Sequence, residues 1–185
     1  MLQLRYLFIL SIALISLPAL AQKDPQAKVI LDQLGQKVKQ SKGIIVNIQL
    51  STKNNKGKSM GTKSINLKMK GDKYLLNEGK MEILCDGLSI YNFDGANSIS
   101  KSAMGESDQT LSPQKLLSGS YDKDFNFSLL SQNASKATIE LYPIDKRKNF
   151  QKVTLIIDKL KSALSNASIL DKSNNITDVK VLSIS

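Results

Sequence analysis

The stretch that most constrains this chain is residues 81–95, MEILCDGLSIYNFDG. Two apolar runs, 81–85 and 88–93, flank the pair Asp86-Gly87. A tight hairpin loop needs positive φ, which Gly supplies without steric cost, so Asp-Gly between runs carrying Ile, Tyr and Phe predicts a β-hairpin. Similar apolar strands on both sides place that hairpin in the middle of a long antiparallel sheet.

From Ile44 the side chains alternate with period two. Ile44, Val46, Ile48 and Leu50 oppose Ile45, Asn47, Gln49 and Ser51, and further on Ile65, Leu67 and Met69 oppose Asn66, Lys68 and Lys70. Such strands have one apolar and one polar face, as in an antiparallel meander wet on one side. Gly71-Asp72 turns the chain into a strand at 73–77, and the hairpin follows. Residues 94–108 are polar apart from Ile99 and Met104 and read as a loop. Strands are predicted again at 125–129, 138–142, 153–158, 163–170 and 176–184, with Pro143 ending one ladder.

Two helical pieces accompany the strands. Asp24 caps and Pro25 opens a helix whose stripe is Ala27, Ile30, Leu31, Leu34 and Val38, ending near residues 41–43. Ser112-Pro113 starts a short second helix through Leu116 and Leu117, which either lies across one face of the sheet as a lid or belongs to a surface loop that plugs one end of the core. Helices clustered in this way exclude a doubly wound fold. The fold class is therefore α+β, one large curved antiparallel sheet with helices on its concave face.

Residues 1–21 carry Arg5, an apolar run from Tyr6 to Leu17, then Pro18 and Ala19-Leu20-Ala21. That is the form of a secretory signal cleaved after Ala21. The run is too short to span a bilayer, and no Cys follows it to take a lipid. Residues 22–185 are expected to be a single exported domain, its formal charge falling from +10 to +9 with the loss of Arg5. Carried almost wholly by Lys, that charge suits anionic headgroups, an acidic protein partner or plain solubility. Cys85 is the only cysteine, so no internal disulfide forms, and its place in an apolar strand predicts a buried, inert thiol.

Catalysis is poorly provided for. The chain has no His, no Gly-rich phosphate loop and no paired cysteines for zinc, so neither enzyme activity nor a cofactor or metal is expected. Asp122 and Asp124 read as a solvated turn, and Glu78, Glu82 and Asp86 form an acid pair only if the fold brings them together. Phe and Tyr number ten in all, so the interior is mainly aliphatic. An aliphatic interior suits alkyl chains; a sugar or nucleobase site wants aromatic platforms, so nucleic acid is not an expected partner.

In order along the chain stand Asp24-Pro25, the strand from Ile44 to Leu50, Gly71-Asp72-Lys73-Tyr74, and Ile83-Leu84-Cys85-Asp86-Gly87 with Tyr91 and Phe93. After them come Leu111-Ser112-Pro113 with Leu116-Leu117, Ile139-Glu140-Leu141-Tyr142-Pro143, and Val153-Thr154-Leu155-Ile156-Ile157-Asp158. In order and spacing these resemble the outer-membrane lipoprotein carrier family, LolA-like, in its Bacteroidetes form.

The resemblance implies an unclosed half-barrel with a helical lid, and a monomeric periplasmic chaperone. Such a protein shelters acyl chains of a lipoprotein released by an inner-membrane transporter and passes them toward an outer-membrane acceptor. By position, Ile48 falls where many members have Phe, Tyr91 where many have Trp, and Phe93 on the following aromatic. The candidate lipid-binding residues are Ile48, Leu50, Leu67, Met69 and Leu76 from the first strands, with Ile83, Tyr91 and Phe93 from the hairpin. Met104, Leu116 and Leu117 join them from the lid region, and Phe127, Leu141 and Leu155 from the later strands. A carrier of another lipid, or a periplasmic sensor or interaction module, uses the same scaffold. At ~0.8 kcal/mol per methylene, a dozen buried methylenes hold a chain by roughly 10 kcal/mol. A carrier must therefore bury its cargo incompletely or move a lid, and residues 94–119 are expected to move.

Overall fold

The computed structural model describes residues 23–104, 111, 113–117 and 121–185. The expected signal segment 1–21 and the cap at Ser112 lie outside them. Helix α1 (Pro25–Gln40) comes first. A meander follows of β1 (Ile44–Lys53), β2 (Ser59–Lys70), β3 (Lys73–Glu78), β4 (Met81–Cys85), β5 (Ser89–Phe93) and β6 (Ile99–Ala103). Helix α2 (Pro113–Leu117) precedes a second meander of β7 (Phe125–Gln132), β8 (Lys136–Pro143), β9 (Phe150–Asp158), β10 (Ala163–Asp171) and β11 (Ile176–Ile184). All join one sheet in the order β6-β5-β4-β3-β2-β1-β11-β10-β9-β8-β7. The sheet stays open as a half-barrel, with β6 and β7 at its edges.

Two expectations are corrected here. The β4–β5 hairpin sits beside the β6 edge rather than in the middle, because β1 pairs with β11 and that seam takes the centre. Residues 94–108, read as a loop, contain β6. Its ladder to β5 is made by main chain, and its alternation of Ile99 and Lys101 with Ser100 and Ser102 carries no apolar period to betray it. Short edge strands with polar or charged side chains are a common way to blunt an open edge.

The elements form for local reasons. Asp24 Oδ1 accepts from the N–H of Gln26 at 2.8 Å and of Ala27 at 3.3 Å, capping α1 ahead of Pro25. Its other oxygen accepts from Leu129 N–H at 3.1 Å while its own N–H donates to the Phe127 carbonyl, so the cap also covers the β7 edge. These N–H bonds, led by that of Leu129, hold the Asp24 carboxyl below its ordinary value. At the hairpin the loop is Asp86–Gly87–Leu88, with Gly87 at φ +95° and Asp86 Oδ1 accepting from Leu88 and Ser89 N–H.

Register sorts side chains into rows across the sheet. One inner row runs Val46, Leu67, Leu76, Ile83 and then Asn92. A second runs Leu50, Val179, Ala167, Leu155, Ile139 and Leu129. Helix α1 lays Ala27, Ile30, Leu31 and Leu34 on this face, against β7, β10 and α2. The outer face is polar over much of its centre: Asn66 donates to Asn47 and Asn47 to Ser183, both at 2.8 Å.

Candidate apolar cavity

Helix α1 starts beside the β7 edge and ends over the sheet's centre, so its last turn stands off from the seam rather than filling it. A cavity of about 640 Å³ opens there. Leu34 and Val38 of α1, Leu117 of α2, Ile44 at the start of β1, Leu164 of β10 and Val181 of β11 supply its apolar wall. Lys37 and Lys161 stand at its rim, Lys37 Nζ donating to the Lys161 carbonyl at 2.7 Å. A second, shallower hollow of about 720 Å³ lies on the other side of Gly43, Ile44 and Ser185, against Met69, Tyr74, Leu75, Leu84 and Cys85. Both lie near the same end of the half-barrel, the second on its outer face, where Ile45, Lys68, Leu75 and Leu84 form one row.

The short helix beside the main cavity is held by its neighbours. Leu116 and Leu117 are buried, Lys115 pairs with Asp124, and the Tyr121 hydroxyl donates to the Leu116 carbonyl at 2.5 Å. Asp122 pairs with Lys28 at 2.6 Å, and its pull with that of Asp32 raises the Lys28 ammonium. Asp122 and Asp124 thus fasten the 121–124 turn to the two helices. Among the described residues no cluster of three metal-ligating side chains occurs. Glu78 pairs with Lys63 at 2.6 Å and Asp86 is occupied by its own loop, at the opposite end of β4 from Glu82. The fold does not assemble these acids into a pair.

The sequence-predicted residues divide into four groups. Met69 and Leu117 line the hollows. Ile48, Leu50, Leu67, Leu76, Ile83 and Leu116 face inward, as do Phe127, Leu141 and Leu155, and most of these are core. Tyr91 and Phe93 pair with Leu84 and Glu82 and so stand on the outer face, opposite Ile83, where Lys101 Nζ lies 5.3 Å from the Tyr91 ring centre. Met104 follows β6 at the open end, its N–H donating to the Leu88 carbonyl. The concave face does not contain both Ile83 and Tyr91. Hairpin arithmetic carried that signal: closing Cys85 onto Leu88 or, as found, Ile90 pairs Ile83 with an even-numbered residue either way.

Sequence reasoning placed Leu34, Val38, Ile44, Leu164 and Val181 in elements without assigning them to a site. Nothing in the alternation marks where a helix will stand away from the sheet.

Within the described residues no helix is long and apolar enough to cross a membrane. The profile of the family described as outer membrane lipoprotein carrier protein LolA matches residues 79–185. No curated protein sequence matches the chain. Among solved structures, an uncharacterized conserved protein from Thermus thermophilus superposes with a TM-score of 0.58 at 11% identity, covering 86% of each chain. A DUF1329 family protein from Desulfovibrio piger gives 0.52 at 12% identity, over 88% of this chain and 92% of that one. A LolA superfamily protein from Nitrosomonas europaea gives 0.47 at 14% identity, over 85% and 92%.

Proposed function

The chain belongs to the outer membrane lipoprotein carrier family, LolA, and we propose that it is an exported chaperone that shelters a lipoprotein's acyl chain in the cavity beneath α1. In this reading residues 1–21 are removed on export. The mature protein takes its cargo from an inner-membrane releasing transporter and carries it across the periplasm toward an acceptor at the outer membrane. It acts by binding and release rather than by chemistry.

The observation that carries the reading is the size and lining of the cavity. At roughly 30 Å³ per methylene, close to a water's share of liquid volume, about 640 Å³ takes about 20 carbons. That is one acyl chain. Full burial would hold such a chain by more than ~10 kcal/mol at ~0.8 kcal/mol per methylene, too tightly for a carrier. The rim at Lys37, Lys161 and Ser185 is open to solvent, which leaves part of the chain wet and the binding reversible.

Protein purified without detergent should yield an acyl lipid to organic extraction, identified by mass spectrometry. A fluorescent fatty acid should bind the emptied protein, and Val38→Trp or Val181→Trp, which fill the cavity from opposite walls, should weaken it at least tenfold with unchanged circular dichroism. An empty extract together with probe binding indifferent to both substitutions overturns the proposal.

A further inference from the structure

Both hollows lie at one end of the half-barrel, and the residues that crown this end differ from those of the opposite end. The antiparallel register brings there the α1–β1 link at residues 41–43, the β2–β3 turn, the β4–β5 loop and the β9–β10 turn. Lys42, Lys68, Lys70 and Lys73 surround the shallower hollow, and Lys37 and Lys161 the deeper one. Asp72, Asp86 and Asp158 are the acids of these turns. Asp86 is turned to Leu88 and Ser89 N–H, and Asp158 accepts from Lys161 N–H at 2.9 Å. Among the described residues no carboxylate stands within ion-pair distance of Lys42, Lys68, Lys70 or Lys73.

Between these cations project two leucines. Leu88 at the tip of the β4–β5 loop and Leu160 in the β9–β10 turn are each 80% exposed, more than any other large apolar side chain described. The opposite end mixes its signs: Asp94, Asp145 and Asp171 stand in its loops along with Arg147 and Lys172, and Lys53, Lys56 and Lys58 at the β1–β2 loop. Unpaired lysines ringing protruding aliphatic tips match a bilayer carrying anionic lipid, the lysines meeting phosphates while the leucines enter the headgroup boundary.

We propose that the open end of the half-barrel, through Lys42, Lys68, Lys70 and Lys73 with Leu88 and Leu160, docks on the surface of an anionic phospholipid bilayer. Docking there points the mouth of the main cavity at the membrane. The inference goes beyond the carrier reading and does not depend on it, because the rim is intact whether or not the cavity holds a chain.

Flotation of the chain from Gln22 onward, which contains every element of the fold, with vesicles of phosphatidylglycerol and phosphatidylcholine tests it against vesicles of phosphatidylcholine alone. Binding should require phosphatidylglycerol and fall with salt. At about fivefold per lysine near an anionic surface, K42Q/K70Q/K73Q should weaken it by about a hundredfold. Leu88→Ser with Leu160→Ser should weaken it several-fold and leave the salt dependence unchanged. K53Q/K56Q/K58Q, with the same charge change at the opposite end, should retain most of the binding, as should Val38→Trp. Equal binding to both vesicle types, absence of binding to either, as for an end that meets an acidic protein instead, or equal losses from the two lysine triples overturns the proposal. Loss of probe binding in Val38→Trp with vesicle binding retained separates the cavity from the docking surface.

Discussion

The two halves of the sheet carry the same alternation but are filled differently. Strands β7 to β11 take α1 on their inner face, and their core is partly aromatic: Tyr121 meets Phe125 edge-on, Phe125 stacks on Phe150, and all are buried. Strands β4 to β6 contribute a single buried side chain, Cys85, while β5 is half-exposed along its whole length. Period two fixes which residues share a face; whether that face becomes core depends on what lies over it. The β7–β11 half is the frame, and the β4–β6 end is the part with side chains left to respond.

The sharpest test of this contrast removes one inward side chain from each half. Phe127→Ala empties a site 1% exposed between α1 and β8 and should cost about 3–5 kcal/mol in denaturant unfolding. Ile83→Ala, half-buried in β4, should cost only about 1–2 kcal/mol, an area effect with little cavity behind it. Equal losses would abolish the distinction between frame and compliant end.

Most of the frame was legible in the sequence because it rests on local rules. The alternation of Val153, Leu155 and Ile157, the cap and proline at Asp24-Pro25, and the breaks at Gly71 and Pro143 each act within a few residues, and each element appears where it was read. The β1–β11 seam was not legible. It joins the first and last strands, and no local pattern records such a pairing; it alone moves the hairpin from centre to edge. The cavity was less legible still, since Leu34 and Val38 belong to the same helical stripe as Ala27 and Ile30, and only the helix's path across the sheet leaves them beside open space.

The join between α1 and the β7 edge is the next place to press. Asp24→Ala removes the cap and the bond from Leu129 N–H together and should cost about 1–2 kcal/mol, more than a cap on a free helix end. Its pH dependence has a definite sign. Because the folded carboxyl is held below its ordinary value, its contribution is complete above the ordinary carboxylate range and is lost as pH falls through the lowered value. The gap in stability between wild type and variant should therefore be constant near neutrality and narrow on acidification. A gap that widens in acid would mean that Asp24 is not the anchor.

The smallest effect falls where the frame meets the cavity. Helix α2, at five residues, is too short to persist unaided, so its order comes from the burial of Leu116 and Leu117, the Lys115–Asp124 pair and the Tyr121 hydroxyl. Tyr121→Phe keeps the ring against Phe125 and deletes only the donor to the Leu116 carbonyl, a loss of about 1 kcal/mol. Global unfolding should lose no more than that, and amide exchange across α2 should quicken about fivefold. Because Leu117 forms part of the cavity wall, release of a bound fatty-acid probe should quicken by a similar factor. If exchange rises and release does not, cargo leaves through the lysine-ringed end without α2 moving, and the short helix belongs to the frame rather than to the compliant part of the molecule.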